Sequence, residues 1–98
     1  SAQVEGDIAE AIKVAPKNAY LFYNRGNLYA AAKNYSRAID DYSRAIEIDP
    51  NFAEAYLNRG LARCYSGKTT DGLHDFSKAG ELGLYNAYAI SKQLSRKK

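Results

Sequence analysis

The chain contains no methionine, no tryptophan, one cysteine, one histidine and two prolines among its 98 residues. A lone cysteine cannot close an internal disulfide, and one Cys with one His offers no ligand spacing for zinc. Cys64 is compatible with cytosol or periplasm, the cytoplasm being favoured. No apolar run approaches the length of a membrane span and none reads as a signal-peptide core, so no membrane insertion is expected. Without methionine, the chain is expected to begin at a processed or excised start. Charge of one sign is scarce too. The formal net charge is +3, but Lys92, Arg96, Lys97 and Lys98 form a basic tail, and the body before it is near neutral. This weakens the nucleic-acid reading that a basic balance invites, because phosphate affinity comes from clustered cations. A hydrophobic share of 46% is ordinary for a globular chain, so the mean hydropathy of -0.52 does not argue for disorder. At this length one small domain with one modest core is expected.

What the sequence does have is a rhythm. Asn24-Arg25-Gly26 returns as Asn58-Arg59-Gly60, 34 residues later. Asp7, Asp41 and Asp75 keep the same offset, as do Ala11, Ala45 and Ala79, and Pro16 and Pro50; Ala53 and Ala55 are echoed by Ala87 and Ala89. Several series in one register mark an array of similar units.

Within a unit, apolar residues fall at helical spacing in two segments. Phe22, Gly26 and Tyr29 share one face; Tyr35, Ala38, Ile39, Tyr42, Ala45 and Ile46 form the second. Lys33-Asn34 interrupts them, with Asn34 placed to cap the second helix. Asp49-Pro50-Asn51 ends it, because the residue before proline is pushed out of the helical region. The pattern predicts helices over 4–14, 19–32, 35–48, 53–66, 69–82 and 86–96. The fold class is therefore all-α, an α-solenoid of antiparallel helix pairs.

This arrangement resembles the tetratricopeptide repeat (TPR), whose signature sets a large aromatic, a small residue and Tyr on the first helix, then Ala, aromatic, Ala and Pro on the second. Phe22, Gly26, Tyr29, Ala38, Tyr42, Ala45 and Pro50 match it in the first unit. Tyr56, Gly60, Phe76 and Ala79 match in the second, where Arg63, Gly72 and Leu84 replace the expected Tyr, Ala and Pro. The resemblance implies about two and a half units in a single domain over 1–98: a half repeat over 1–18, repeats over 19–52 and 53–86, and a capping helix with the basic tail over 87–98. Gly26 is expected to sit against Ala38 and Ala45. Helical glycine costs about 1 kcal/mol relative to alanine, so the second unit, with Gly72, is expected to be the looser.

Leucine is the family's usual residue where Arg25 and Arg59 stand, and a partly buried cation needs an acceptor. The acid series in step is Asp7, Asp41 and Asp75. Arg25 is expected to pair with Asp7 or Asp41, and Arg59 with Asp41 or Asp75, their stems packed between repeats.

The half repeat places Ile8, Ala11, Ile12, Val14 and Pro16 in the register of Tyr42, Ala45, Ile46, Ile48 and Pro50, without a first-helix partner. Its open apolar edge is expected to meet preceding sequence of a longer array or another chain, so a homo-dimer through residues 4–14 is the alternative function. At the other end Leu82-Gly83 replaces Asp-Pro, and Gly83 can adopt a left-handed cap. This junction looks like Sel1-type repeats and the closing segments of bacterial TPR proteins. The last helix then reads as a cap with Ala87, Ile90 and Leu94 inward.

A search for catalytic groups finds none that converge. His74 is expected to be exposed with no nucleophile near it, and Cys64 to be a semi-buried small side chain. Gly67-Lys68-Thr69-Thr70 lacks the upstream glycine and strand of a phosphate loop and reads as a helix–helix turn. Asp40 and Asp41 point to different helical faces. No enzyme activity, cofactor or metal is expected.

Stacked helix pairs curve, and in the family the first helices line the hollow side. The expected partner-binding residues are Tyr20, Tyr23, Asn24 and Asn27, then Glu54, Leu57, Asn58 and Leu61, then Tyr88, Ser91 and Lys92. Asparagine amides can hold an extended peptide backbone while tyrosines cover its apolar side chains. Asn24 and Asn58 could instead bond only local backbone. One TPR subgroup clamps the C-terminal carboxylates of chaperone tails with lysines and asparagines. Asn27, Asn58 and Lys92 match three of those sites, but Tyr23 and Tyr88 replace two lysines, and most of the attraction for a carboxylate goes with them. Weakly acidic or aromatic-binding peptides fit better. The resulting expectation is a non-enzymatic protein-interaction module holding an extended peptide or partner helix, with no nucleic acid as partner.

Overall fold

The computed structural model describes residues 2–85 together with 89, 92 and 93. Among the described residues the helices follow in the order α1 Ala2–Val14, α2 Ala19–Ala31, α3 Tyr35–Ile48, α4 Ala53–Tyr65 and α5 Thr69–Glu81. Among the described residues there is no strand. The helix bounds fall within two residues of the expected ones. The expected helix over 86–96 lies outside the described residues except for Ala89, Lys92 and Gln93, which are helical and exposed.

The local chemistry of the ends explains the elements. Asn18 caps α2 by accepting a hydrogen bond from the Tyr20 amide at 3.0 Å, and Asn34 caps α3 through the Arg37 amide at 3.3 Å. Asp49, ahead of Pro50, is extended at φ -130°, ψ 92° and stops α3. The turns after α2, α4 and α5 share one device. Lys33, Gly67 and Gly83 take positive φ of 62°, 88° and 112°. The next amide reaches back to the last helical turn, Asn34 to the Tyr29 carbonyl at 2.8 Å, Lys68 to Arg63 at 2.7 Å and Leu84 to Ala79 at 3.0 Å.

Two apolar clusters hold the stack. Phe22, Ala45, Phe52 and Ala55 form one, with Ile12 of α1 laid against it; Ala38, Tyr42 and Ala62 form the other, with Tyr23, Tyr29, Ala30, Tyr35 and Ile39 around them. Tyr23 touches both and joins the repeats. Small residues sit where the backbones approach, Gly26 among them. A methyl built there would meet the Tyr42 ring at 2.7 Å, so the tyrosine ring is what lies nearest the missing side chain.

The second pair is as closely packed at its crossing as the first. A methyl on Gly60 would lie 2.9 Å from the Gly72 carbonyl oxygen, and one on Gly72 would lie 2.7 Å from the Gly60 carbonyl oxygen and 2.5 Å from Cys64 Sγ. Gly72 thus belongs to a glycine-on-glycine crossing that brings α4 and α5 into backbone contact, and its poor helix propensity is the cost of that approach.

The arginines choose the acid of their own repeat. Arg25 donates from Nε and Nη2 to both oxygens of Asp41 at 2.7 and 2.9 Å, and Arg59 does the same to Asp75 at 2.9 and 2.8 Å. Asp41 and Asp75 are 1% and 4% exposed, so these are buried carboxylates. Asp7 is exposed and takes no part. Arg44 adds a third bond to Asp41, and Arg63 a third to Asp75 at 2.8 Å. The residue that departs from the repeat pattern at 63 thereby satisfies a carboxylate. Among these arginine bonds, the one from Arg59 Nη1 to Ser43 Oγ, 3.2 Å, crosses between repeats.

α1 has no fully buried residue, and Val4 and Val14 are 44% and 85% exposed. Its inner face meets α2 through Ile12. Its other side carries no partner helix among the described residues.

Candidate functional site

A surface concavity of about 240 Å³ opens between α2 and α4 over the start of α3. Asn27, Asn58 and Leu61 of the expected site line it, joined by Ala30, Tyr35, Tyr42, Ala62 and Tyr65. Tyr35 and Tyr65 stack across its rim with centroids 5.6 Å apart and planes inclined by 22°.

The polar floor is a hydrogen-bonded network. Buried Tyr42 donates its hydroxyl to Asn27 Oδ1 at 2.6 Å. Asn58 Nδ2 donates to the same oxygen at 3.0 Å and to the Tyr23 hydroxyl at 3.1 Å. Burial, reinforced by the neighbouring Tyr23, pushes the Tyr42 phenol well above its ordinary range. Asn58 therefore does not serve local backbone: it ties the first helix of one repeat to the first helix of the previous one. With its carbonyl oxygen accepting twice, Asn27 has its own amide nitrogen without a partner among the described residues. The network fixes both amides at the concave surface, and the unspent Nδ2 can meet a carbonyl from outside.

The other expected residues stand apart from this floor. Tyr20 is 64% exposed, meets Tyr23 edge-on at 6.4 Å and leans on Phe52 at 5.0 Å, extending the apolar surface toward the start of α2. Asn24 and Glu54 are exposed and Leu57 is half-buried, and none of the three lines the concavity. Lys92 is exposed and likewise not among its lining; Tyr88 and Ser91 lie outside the described residues. Ala30, Tyr35, Tyr42, Ala62 and Tyr65 were missed as site residues. The signal for three of them was present: Ala30 follows Asn27 by three, and Ala62 and Tyr65 follow Asn58 by four and seven, so each lies on the same helical face.

Among the described residues, no lining residue of the concavity carries a formal charge. The ionic groups gather elsewhere, in a second cleft of about 200 Å³ lined by Arg25, Tyr29, Arg37, Asp40, Asp41 and Arg44, where the Arg37 guanidinium lies 5.8 Å from the Tyr29 ring centre. His74 is exposed. Burial raises the Cys64 thiol above its usual value, which makes it a weaker nucleophile. Gly67 and Lys68 form the turn into α5. Among the described residues no group of three His, Cys, Asp or Glu side chains could hold a metal ion, and no helix is long and apolar enough to cross a membrane.

Antiparallel helix pairs repeated in register, with small residues at the crossings and a polar floor between successive first helices, define an α-solenoid of helical repeats. Two tetratricopeptide repeat family models match, over residues 19–52 and 42–74, together more than half of the sequence. The chain belongs to the tetratricopeptide repeat family. It is similar to the small glutamine-rich tetratricopeptide repeat-containing protein 2 of Saccharomyces cerevisiae, 34% identical over 84 residues that cover 86% of this chain and 24% of that protein. It thus spans about a quarter of that relative. Among solved structures, the Arabidopsis OM64 TPR domain superposes with a TM-score of 0.88 at 29% identity, covering 95% of this chain and 78% of that one. YrrB, described as a TPR protein with an unusual peptide-binding site, superposes with a TM-score of 0.75 at 26% identity over 79% of this chain and 40% of that one.

Proposed function

We propose that this chain is a non-enzymatic protein-interaction module that holds an extended peptide or partner helix on the face formed by α2 and α4. The observation that carries the reading is the Tyr42–Asn27–Asn58–Tyr23 network. It immobilises two amides between repeats, so the cost of ordering them is met in folding and not in binding. It also leaves the amide donor of half-buried Asn27 beside apolar and aromatic walls. YrrB, a relative of the same fold, is described as carrying a peptide-binding site, which supports a peptide as the class of partner. The division into a half repeat over 1–18, repeats over 19–52 and 53–86 and a cap over 87–98 belongs to this proposal. So does the Sel1-like reading of the turn at Leu82–Gly83, supported by the positive φ of Gly83.

The test is a titration of isotope-labelled protein with peptides selected from a displayed random library, read as chemical-shift changes. Shifts concentrated on the side-chain amides of Asn27 and Asn58 and on Leu61, and lost in Leu61→Glu, are expected. Peptides that bind while shifting only α1 or the outer face of α5 would count against the groove. Self-association through residues 4–14 is the competing reading, motivated by an α1 with no fully buried residue. Sedimentation that does not change with concentration removes it.

A further inference from the structure

The identity of the bound segment can be narrowed, resting on the groove reading above. We infer that the concavity between α2 and α4 takes one uncharged, bulky apolar side chain of an extended partner peptide, whose adjacent backbone carbonyl is met by Asn27. Three observations converge on this.

The first is size. About 240 Å³ lies below the roughly 300 Å³ at which sites for whole small molecules begin. A leucine, isoleucine or phenylalanine side chain fits it; a free metabolite does not fill its contacts there.

The second is charge. The arginines that could attract an anion are already engaged elsewhere, Arg25 on Asp41 and Arg59 and Arg63 on Asp75. Among the described residues, none of them lines the concavity, and neither does any lysine. A carboxylate or ammonium entering it would shed water without gaining a counter-charge. The walls are Leu61, Ala30, Ala62 and the Tyr35–Tyr65 stack, which gain by covering an apolar group.

The third is polarity at the floor. The Asn27 amide nitrogen is the donor left over after the network closes, so one backbone carbonyl beside the anchor finds a partner. The combination selects a side chain by exclusion of charge and by shape, and selects an extended backbone by one amide.

The experiment uses blocked nonapeptides with a neutral Ser/Asn/Gly host sequence and one central guest, Leu, Phe, Ala, Asp or Lys, titrated into the full chain by calorimetry or fluorescence anisotropy. Leu and Phe guests are expected to bind at least tenfold tighter than Ala, and Asp and Lys no tighter than Ala. Ala30→Leu, which fills the concavity from a half-exposed position, is expected to erase the Leu and Phe preference while circular dichroism stays unchanged. Tyr65→Ala opens the rim at an exposed residue and is expected to reduce the preference without affecting folding. Equal binding of all five guests, or tighter binding of Asp, overturns the inference and leaves the groove reading in place. Binding of none, together with unmoved Asn27 and Asn58 amide resonances, overturns both.

Discussion

Arg59 grips Asp75 through two parallel hydrogen bonds, Nε to Oδ2 at 2.9 Å and Nη2 to Oδ1 at 2.8 Å, with its third nitrogen on Ser43 of the preceding repeat. The carboxylate is 4% exposed, so its charge has no water to fall back on. Leucine at this position fills the volume but strips the carboxylate of two of its three charged bonds, leaving only Arg63. Arg59→Leu is therefore expected to destabilise the fold by about 2–4 kcal/mol, read as a lower urea midpoint at unchanged slope. Arg59→Leu combined with Asp75→Leu should recover much of that loss, because no orphaned charge remains. A single mutant within 0.5 kcal/mol of the parent, roughly the level of an ordinary surface change, would show that the pairing is ornamental.

The glycines of the two repeats should differ in their response to a methyl group. A methyl at Gly26 would meet the Tyr42 ring at 2.7 Å, a side chain that can tilt slightly, whereas one at Gly60 would meet the Phe76 ring at 2.7 Å and also the Gly72 carbonyl oxygen at 2.9 Å, and one at Gly72 the Gly60 carbonyl oxygen at 2.7 Å. Backbone cannot yield unless α4 and α5 part. Alanine restores about 1 kcal/mol of helix propensity at each site, set against an overpacking cost of about 1–3 kcal/mol. Gly72→Ala is expected to be clearly destabilising in thermal unfolding, with Gly60→Ala close behind and Gly26→Ala mildest. The reverse order would mean that the second pair is the looser after all.

The helices were legible because their spacing, caps and 34-residue offset all agree, and Asn34 and Pro50 mark their ends in the sequence itself. The arginine partners were legible as a choice between two acids, and it took the geometry to exclude Asp7, which lies on an edge helix too far from burial to be needed. Arg63 looked like a defect because repeat patterns describe packing positions one at a time. That it shares Asp75 with Arg59 is a three-body fact with no periodic signature. The site was read in part for a similar reason. Asn27, Asn58 and Leu61 lie on the expected face, but the stripe was extended backward to Tyr20 and Asn24, while the concavity continues forward to Ala30 and Tyr65. How far a groove deepens along a helix depends on the tilt between neighbouring pairs, and the sequence states the residues and not the tilt.

Lys33 holds φ at 62° in the turn where the next repeat, 34 residues on, has Gly67 at 88°. Any side chain with a Cβ is disfavoured in that region by about 1–2 kcal/mol, and glycine is not. Lys33 is exposed and makes no ion pair among the described residues, so nothing in the structure compensates. Lys33→Gly is expected to stabilise the fold by about 1 kcal/mol, part of the gain being returned as unfolded-chain entropy. Equilibrium denaturation should show the midpoint rise. A fall of similar size would imply that the lysine is held for its charge or stem.

Tyr42 gives the fold an alkaline limit. Its phenol is buried, donates to Asn27 at 2.6 Å and stays protonated in the folded chain at pH values where an unfolded tyrosine ionises. A folded-state pKa above the unfolded one contributes stability in full below the ordinary tyrosine value of about 10 and loses it as pH rises beyond that value. The unfolded chain then releases a proton that the folded chain keeps, so stability falls with a slope approaching about 1.4 kcal/mol per pH unit from this group. Cys64, also raised by burial, adds a decline of the same sign beginning near the usual thiol value of 9.0. The readout is therefore the difference between the parent and Tyr42→Phe, which shares Cys64. At neutral pH the variant should be less stable by about 1 kcal/mol, having lost one hydrogen bond to Asn27. Above pH 10 the two denaturation midpoints should converge and then cross. Parallel curves through pH 11 would place the Tyr42 hydroxyl in contact with water and remove it from the floor of the groove.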